Sequence, residues 1–310
     1  MTFLARVAAV AVLTLLAAGG AGAETKIVMN YTTGESVTAF VAKETGIFAK
    51  HGLDVELVPV VQNSNAPAAL VANAVQIGMT QVALLLQAAD SGIDLVAIAN
   101  GSEIVKGESK YAVVARTGLD IKTAKDLVGK KIGVPGIGAS IDIFFRAWLL
   151  AHDVQPGDVS IVETTFPAMA DNLHSGNLDA VTPLEPFITR ITAAKIGYEV
   201  ANLVDVVPQP RMNALIFVTT RDWADKNRDI VKAVQEAIVE ADAFIPANPE
   251  KTRAYINKYT KMPMEILNSL PLPIVDPVLD KASFAWWADT MQRLHMLQAR
   301  PDIGKLLYPG

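Results

Sequence analysis

Short apolar runs alternate with stretches of helical period along most of this 310-residue chain. Residues 27–31 (Ile-Val-Met-Asn-Tyr) have the length and apolar content of a buried strand. Val37, Phe40, Val41 and Phe48 follow at helical or near-helical spacing, with Gly46 interrupting near the end. The pattern then predicts a strand over 54–58, a helix over 65–72, a strand over 75–79, a helix over 81–89 and a strand over 95–99. The scheme repeats further on. Strands are expected over 131–134, 159–162 and 179–182. Between and after them come an amphipathic helix that starts at Ser140 and presents Ile141, Phe144, Phe145, Trp148 and Leu149, a helix over 167–175 and another over 186–196. Short apolar strands separated by helices predict an α/β fold with parallel strands covered on both faces.

This reading divides the chain into two similar units, at about 24–110 and 117–212. Extended segments at 111–115 and 214–220 lead into and out of the second unit. The rest is helical, marked by Ile230, Val231, Val234, Ile238 and Ala241, by residues 252–259, and by Phe284, Trp287, Met291 and Leu294. These helices have no sheet of their own and are expected to pack back on the first unit. The second unit is then an insertion, with one lobe built from 24–112 and 217–310 and the other from 113–216. Two crossings side by side make a hinge, and the crevice between the lobes is the natural place for a ligand.

The first residues carry a different signal. Arg6 precedes residues 7–18, apolar except for Thr14, and Ala21-Gly22-Ala23 follows. A positive start, a brief apolar core and an A-x-A-like end predict a secretory signal peptide over 1–23. The apolar run is too short to span a membrane comfortably. Glu24 stands where a lipoprotein would need cysteine, so the expected product is a freely diffusing periplasmic protein, away from ATP, NADH and nucleic acid. The chain has 27 basic and 32 acidic residues, a net charge of −5, and no basic block of the kind nucleic acid or anionic lipid requires. It has no cysteine, which excludes thiolate and disulfide chemistry, and it is long enough to manage without disulfides.

Motifs for catalysis are missing. His51, His152, His174 and His295 are scattered, and the chain contains no H-E-x-x-H, G-x-S-x-G, phosphate-loop or EF-hand pattern. No cofactor, metal or catalytic residue is expected, although two carboxylates could still meet from distant positions. The strongest local signal is Gly133-Val134-Pro135-Gly136-Ile137-Gly138-Ala139-Ser140, a glycine-rich turn between a strand and an amphipathic helix. Ser140 can cap that helix, and neighbouring free N–H groups can hold an anion; a plain turn with a serine cap is the simpler alternative. Thr182-Pro183-Leu184-Glu185-Pro186-Phe187 follows another strand, and Glu185 either accepts hydrogen bonds from a ligand or sits favourably at a helix start. Polar or aromatic groups also stand at the expected strand ends 31–33, 80–81, 100–102 and 164–166, the last including Phe166. Arg211 and Asn213 lie beside the return crossing, where Arg211 could clamp an acid group or simply be solvated.

At these residues the chain resembles a known family. The segment Glu44-Thr45-Gly46-Ile47-Phe48-Ala49-Lys50-His51-Gly52-Leu53-Asp54-Val55 is similar to the x-x-x-G-x-F-x-x-x-G-L-D-V stretch of periplasmic substrate-binding proteins of the nitrate/sulfonate/taurine type of ABC importer, whose relatives also bind thiamine-pyrimidine precursors. Gly133-Val134-Pro135, the turn Gly138–Ser140, Ser175-Gly176-Asn177-Leu178-Asp179-Ala180 and Glu185-Pro186-Phe187 support the likeness, which spans about 26–290. The resemblance implies a type II periplasmic binding fold, with two lobes that each hold a central mixed sheet flanked by helices. It implies a monomer that captures a small molecule by closing its lobes and delivers it unchanged to an inner-membrane ABC permease. Family ligand contacts would fall on Tyr31, Thr80, Gln81, Asn100, Ser140, Glu185 and Asn213, with Gly138, Ala139 and Phe166 completing the candidate set. The implied ligand is a small organic anion, sulfonate or carboxylate. The alternatives are a pyrimidine-type heterocycle, or an enzyme like the family's pyrimidine-synthase branch, whose chemistry draws on His and Cys. A sensing role toward a membrane receptor also stays open.

Overall fold

The computed structural model describes residues 24–31, 36–59, 66–108 and 111–309. The expected signal peptide lies outside the described residues, as do Thr32 and Thr33. Among the described residues no helix is long and apolar enough to cross a membrane.

The first part of the chain runs β1 (Thr25–Tyr31), α1 (Val37–Glu44), α2 (Ile47–Lys50), β2 (Leu53–Pro59), α3 (Ala66–Val71), β3 (Gly78–Gln81), α4 (Val82–Asp90) and β4 (Leu95–Val105). Next come β5 (Ala112–Arg116), β6 (Lys131–Val134), α5 (Ser140–Ala151), β7 (Ser160–Glu163), α6 (Phe166–His174), β8 (Ala180–Val181), α7 (Phe187–Ala193) and β9 (Gly197–Asn202). The last part holds β10 (Arg211–Thr220), α8 (Arg221–Lys226), α9 (Arg228–Ala247), α10 (Pro249–Thr260), α11 (Met264–Ser269), α12 (Lys281–Arg293) and α13 (Ile303–Leu306).

The strands form two arrangements on one plan. In the first, β1 and β2 are parallel, and a parallel bridge from Met29 to Ile77 links them to the order β3-β10-β4, in which β10 runs antiparallel to both neighbours. In the second, the order is β7-β6-β8-β5-β9; β6 is parallel to β7 and β8, and β5 is antiparallel to β8 and β9. Each arrangement thus receives one reversed strand directly from a crossing: β5 enters straight after β4, and β10 straight after β9. Parallel neighbours need long crossovers, which the intervening helices supply.

Three departures from the pattern-based expectation have physical causes. The third strand begins at Gly78 rather than 75, because ladder pairing with β10 starts only at Val218; Val75 and Ile77 are buried but flank a Gln76 whose carbonyl is held by Thr219 Oγ1 at 2.7 Å. The fourth strand runs past 99 to Val105, since β10 pairs with it along its length, so 100–102 lie inside a strand rather than after one. Strand β9 was not predicted at all. It is only partly buried and pairs only with β5, so Tyr198 and Val200 supply a weak alternating signal next to a helix that ends at Ala193.

Helices α1, α9 and α10 cover one face of the first sheet, burying Phe40, Phe48, Phe217, Val234 and Ile238. The other face belongs to a core that continues through α4 and α12 to α5 and the second sheet. The expectation that the C-terminal helices pack on the first unit holds for α9, but α12 also reaches the second. Phe144 of α5 lies 5.4 Å from the ring of Trp286 and 5.0 Å from that of Trp287, with the ring of Tyr111 at 5.7 Å. Trp287 is fully buried, and its Nε1–H donates to the carbonyl of Asn213 at 3.2 Å. Truncating it should therefore be costly. Trp287→Ala is expected to lower unfolding free energy by about 3–5 kcal/mol, and Trp287→Phe, which keeps most of the packing, by about 1–2 kcal/mol, as read from urea denaturation midpoints.

Candidate functional site

Parallel strands aim their carboxyl ends at one edge of a sheet, where open α/β sheets bind ligands. In the first sheet that edge carries Tyr31 at the end of β1 and Thr80-Gln81 at the end of β3. In the second it carries the loops after β6, β7 and β8, which hold Gly138–Ser140, Phe166 and Glu185. The two edges face each other. Gln81 Oε1 accepts from both the backbone N–H of Ser140, at 3.3 Å, and its hydroxyl, at 3.0 Å. Gln87 of α4 adds a bond from Nε2 to the carbonyl of Gly138 at 3.3 Å. Two residues 59 apart in sequence, both singled out from the pattern, are thereby brought into contact.

The turn before α5 owes its shape to glycine at two places. Gly138 has φ +80°, a left-handed conformation that side chains disfavour. At Gly133 a Cβ would come within 2.5 Å of Leu178 Cδ1 and 2.7 Å of Thr164 Cγ2. The expected role of Ser140 as a helix cap is corrected here. The N-cap is Ala139, without a side-chain bond, and Ser140 is the first helical residue. The neighbouring N–H groups are not free either. Gly138 N–H donates to Asp142 Oδ2 at 2.8 Å and Ile137 N–H to Glu163 Oε2 at 3.3 Å. Asp142 is fully buried, and its other oxygen accepts from Arg146 Nε at 2.8 Å, one turn along the helix. A carboxylate in the first turn complements the helix dipole, so α5 carries its own anion.

The other predicted residues have distinct surroundings. Tyr31 is buried, with its ring edge-on to Phe40 at 5.0 Å and Tyr259 at 5.6 Å, and the latter two stack at 4.3 Å. The Tyr259 hydroxyl donates to Glu44 at 2.7 Å; burial and that carboxylate together push its pKa up. Thr80 and Asn100 both face Ile216 of β10 from opposite sides, placing them in one row of the sheet. Both are buried, and Thr80 Oγ1 and Asn100 Oδ1 lack a hydrogen-bond partner. Asn100 Nδ2 donates to the carbonyl of Asp276 at 2.6 Å. Asn213 has its side chain engaged within the chain: Nδ2 donates to Val278 O at 3.0 Å and Oδ1 accepts from Asp280 N at 2.7 Å, which fastens the lead-in to α12 onto β10. Phe166 stacks on Phe187 at 5.4 Å. Glu185 Oε2 accepts from Thr189 N–H at 3.2 Å, the helix-start arrangement, at the beginning of α7. Arg211 pairs with Glu103 at 2.8 Å and is half-exposed.

Sequence reading missed three polar groups of this region: Asn30, Asp142 and Asp242. Asn30 Oδ1 accepts from Met79 N–H at 2.8 Å, joining β1 to β3, while its Nδ2 is buried without a partner. Asp242 of α9 is buried; Oδ1 accepts from the Thr38 hydroxyl at 2.5 Å and Oδ2 has no partner. The spacing of Asp242 from Ile238 and Ile245 puts it on the face that α9 buries, which was the available sign that its side chain points inward. Among the described residues no group of three or more acidic or histidine side chains is placed to hold a metal. Elsewhere, a groove of about 730 Å³ runs between α9 and residues 277–279, lined by Ile98, Val239 and Leu279 and rimmed by His51 and Glu240; none of the ten predicted contacts lines it.

Comparison with known proteins places the chain. The sequence profile of the family described as NMT1/THI5 like matches residues 34–252. The chain belongs to this family. A Brucella abortus (strain 2308) protein named as a binding protein is 30% identical over 230 residues, covering 74% of this chain and 69% of that one. The taurine-binding periplasmic protein of Escherichia coli K12 is 28% identical over 214 residues, 68% of this chain and 64% of the relative. Among solved structures, the periplasmic aliphatic sulphonate binding protein SsuA from Escherichia coli superposes with a TM-score of 0.76 at 20% identity, covering 92% of both chains. The mixed α/β fold of this NMT1/THI5-like chain is therefore that of the periplasmic binding proteins, as the resemblance implied.

Asp242 makes stability depend on pH. Burial, with Asp276 and Glu103 nearby, pushes its pKa from 3.8 up to about 7 against the opposing Thr38 bond. The folded state then keeps a proton that the unfolded chain releases, so this contribution falls as pH rises from about 4 to about 7 and levels off above. Asp242→Asn is expected to raise the melting temperature at about pH 8 by several degrees and to flatten the slope between those limits. Calorimetric melts across the pH range check this.

Proposed function

We propose that this chain is the periplasmic solute-binding component of an ABC-type importer, which holds one small polar solute between the facing edges of its two sheets and hands it unchanged to a membrane permease. The observation that carries the reading is the contact between Gln81 and Ser140, which joins the carboxyl edges of the two sheets. Family membership and the periplasmic names of relatives support the location and the partner. The two halves are taken as the first sheet with its helices, 24–105 and 211–310, and the second, 112–202, joined by the segments between β4 and β5 and between β9 and β10; the expected division at 216/217 is moved ahead of β10, because Leu215 and Ile216 pair with β3 and β4. Opening would part Tyr31, Thr80, Gln81 and Asn100 from Gly138, Ala139, Ser140, Phe166 and Glu185 at the cost of the Gln81–Ser140 bonds, and closing over a solute would bring the two groups back together. Asn213 would act as a brace for α12 at the hinge. Capture needs only differential affinity for the closed form, so no bond-making chemistry is invoked.

A thermal-shift screen of small polar solutes tests the reading. A true ligand should raise the melting temperature with concentration, since it binds only the folded state. Ser140→Ala is expected to weaken that ligand by about tenfold, the worth of one hydrogen bond, while leaving the melting temperature of the free protein nearly unchanged. Trp286, packed on Phe144 across the two halves, should report closure as a change in fluorescence on saturation. Unaltered affinity in Ser140→Ala would refute the site, and catalytic turnover of a bound compound would refute the transport role.

A further inference from the structure

A lysine spans the joint between the two halves. On the first-sheet side, the pairing of β4 with β10 is continued by Lys106, whose N–H donates to the carbonyl of Pro210 at 2.9 Å. On the second-sheet side, the pairing of β5 with β9 is continued by Leu203, whose N–H donates to the carbonyl of Tyr111 at 2.6 Å. Between these two points the return crossing makes a single 3-10 turn, Leu203–Val206. That turn belongs to the second half. It packs against α5, with Leu203, Val204 and Val207 buried, and Asn202 Oδ1 caps it by accepting from Val204 N–H at 3.2 Å. The residues that follow belong to the first half. Gln209 Nε2 donates to the carbonyl of Ala282 in the first turn of α12, at 3.3 Å, and Pro210 is the partner of Lys106. The joint of this crossing therefore falls between Val207 and Gln209.

From the end of β4, Lys106 Nζ reaches across that joint. It donates to the carbonyl of Val207 at 3.1 Å and to that of Asp205 at 3.2 Å. Both acceptors lie at the C-terminal end of the 3-10 turn, where carbonyls lack partners within the turn and a cation is favoured. Bonds from an ionised donor are stronger than neutral ones, and two acceptors fix the ammonium from two directions. Rotation of one half against the other about this joint changes both distances at once. The bonds coexist with those between Gln81 and Ser140, so they belong to the arrangement in which the sheet edges meet. We infer that Lys106 is a positioning residue for capture: it touches no solute, but its grip on the carbonyls of Asp205 and Val207 stabilises the closed arrangement and raises the share of molecules in which Gln81 meets Ser140. Affinity for a solute scales with that share. The inference rests on the capture reading above.

The test needs no solute. The Ser140 N–H is accepted by Gln81 Oε1 of the other half, so its exchange with solvent deuterons, followed by nuclear magnetic resonance in the complete protein, reports how often the edges part. Amides in the middle of β10, at Ile216 and Phe217, report unfolding of the first sheet instead. Lys106 is exposed, and Lys106→Met keeps the length of the stem while removing the ammonium. It should speed exchange at Ser140 by about five- to tenfold and leave Ile216 and Phe217 unchanged, whereas Lys106→Arg, which keeps a cation with N–H donors, should stay within about twofold of the native rate. Unchanged exchange at Ser140 in Lys106→Met overturns the inference. So does equal acceleration at Ile216 and Phe217, which would mean lost stability alone, and so does a Lys106→Arg variant as fast as Lys106→Met. A native Ser140 amide that exchanges as fast as an unprotected one overturns it too, since the halves are then not held. Failure of the capture reading shows itself differently: exchange at Ser140 still answers to Lys106, while no solute raises the melting temperature.

Discussion

Strand β10 ties the first sheet together, because both its edges are engaged at once. Ile216 faces Thr80 of β3 on one side and Asn100 of β4 on the other, and the pairing with β4 extends from Arg211 to Thr220. The strand runs against its neighbours because the chain enters it from the second sheet after only a short 3-10 turn over Leu203–Val206, with no α-helical crossover to turn it around. The same constraint acts in reverse at β5. An exchange of one reversed strand in each direction obliges the two sheets to remain close, and it leaves their parallel strands free to point their carboxyl ends at a common space.

Closeness at the crossing is reinforced by apolar packing. The aromatic cluster of Phe144, Trp286 and Trp287 belongs to a core continuous with the interiors of both sheets. Asn213, near the start of β10, holds α12 and its approach through four separate groups, its backbone N–H accepted by Ser283 Oγ at 2.9 Å and its carbonyl accepting from Trp287 Nε1–H among them. Away from the crossing the contact between halves is polar and sparse, made by Gln81 and Gln87. A large apolar contact at one end and a few exchangeable hydrogen bonds at the other suit a joint that opens and shuts, since the polar bonds can be traded for water or solute at little net cost.

Much of the fold was legible in the sequence because its strands are short, apolar and separated by helices of clear period. β1, β2, β6 and α5 fall within a residue or two of where the pattern puts them. β9 escaped because an edge strand buries half a face and alternates weakly. The extension of β4 to Val105 escaped because it depends on its partner β10, more than a hundred residues away. For the candidate site, the turn before α5 and the end of β3 were both recognisable as punctuation. That Gln81 meets Ser140, and that Asp142 reaches back to Gly138, could not be seen, since hydrogen bonds between side chain and backbone leave no periodic trace.

Patterning alone determined the class of fold, the repetition of an α/β unit and the family, because each rests on local regularities: apolar periodicity, glycine where the backbone must turn tightly, and a motif of fixed spacing. The tertiary structure decided what those parts do to one another. It turned Asn213 into a brace, raised the pKa of Asp242 by burying it, and occupied the N–H groups of the α5 turn with the chain's own acceptors. The physical reason is range. Propensity and periodicity act over a few residues, whereas burial, charge balance and the satisfaction of a donor depend on whichever distant side chain the fold brings near.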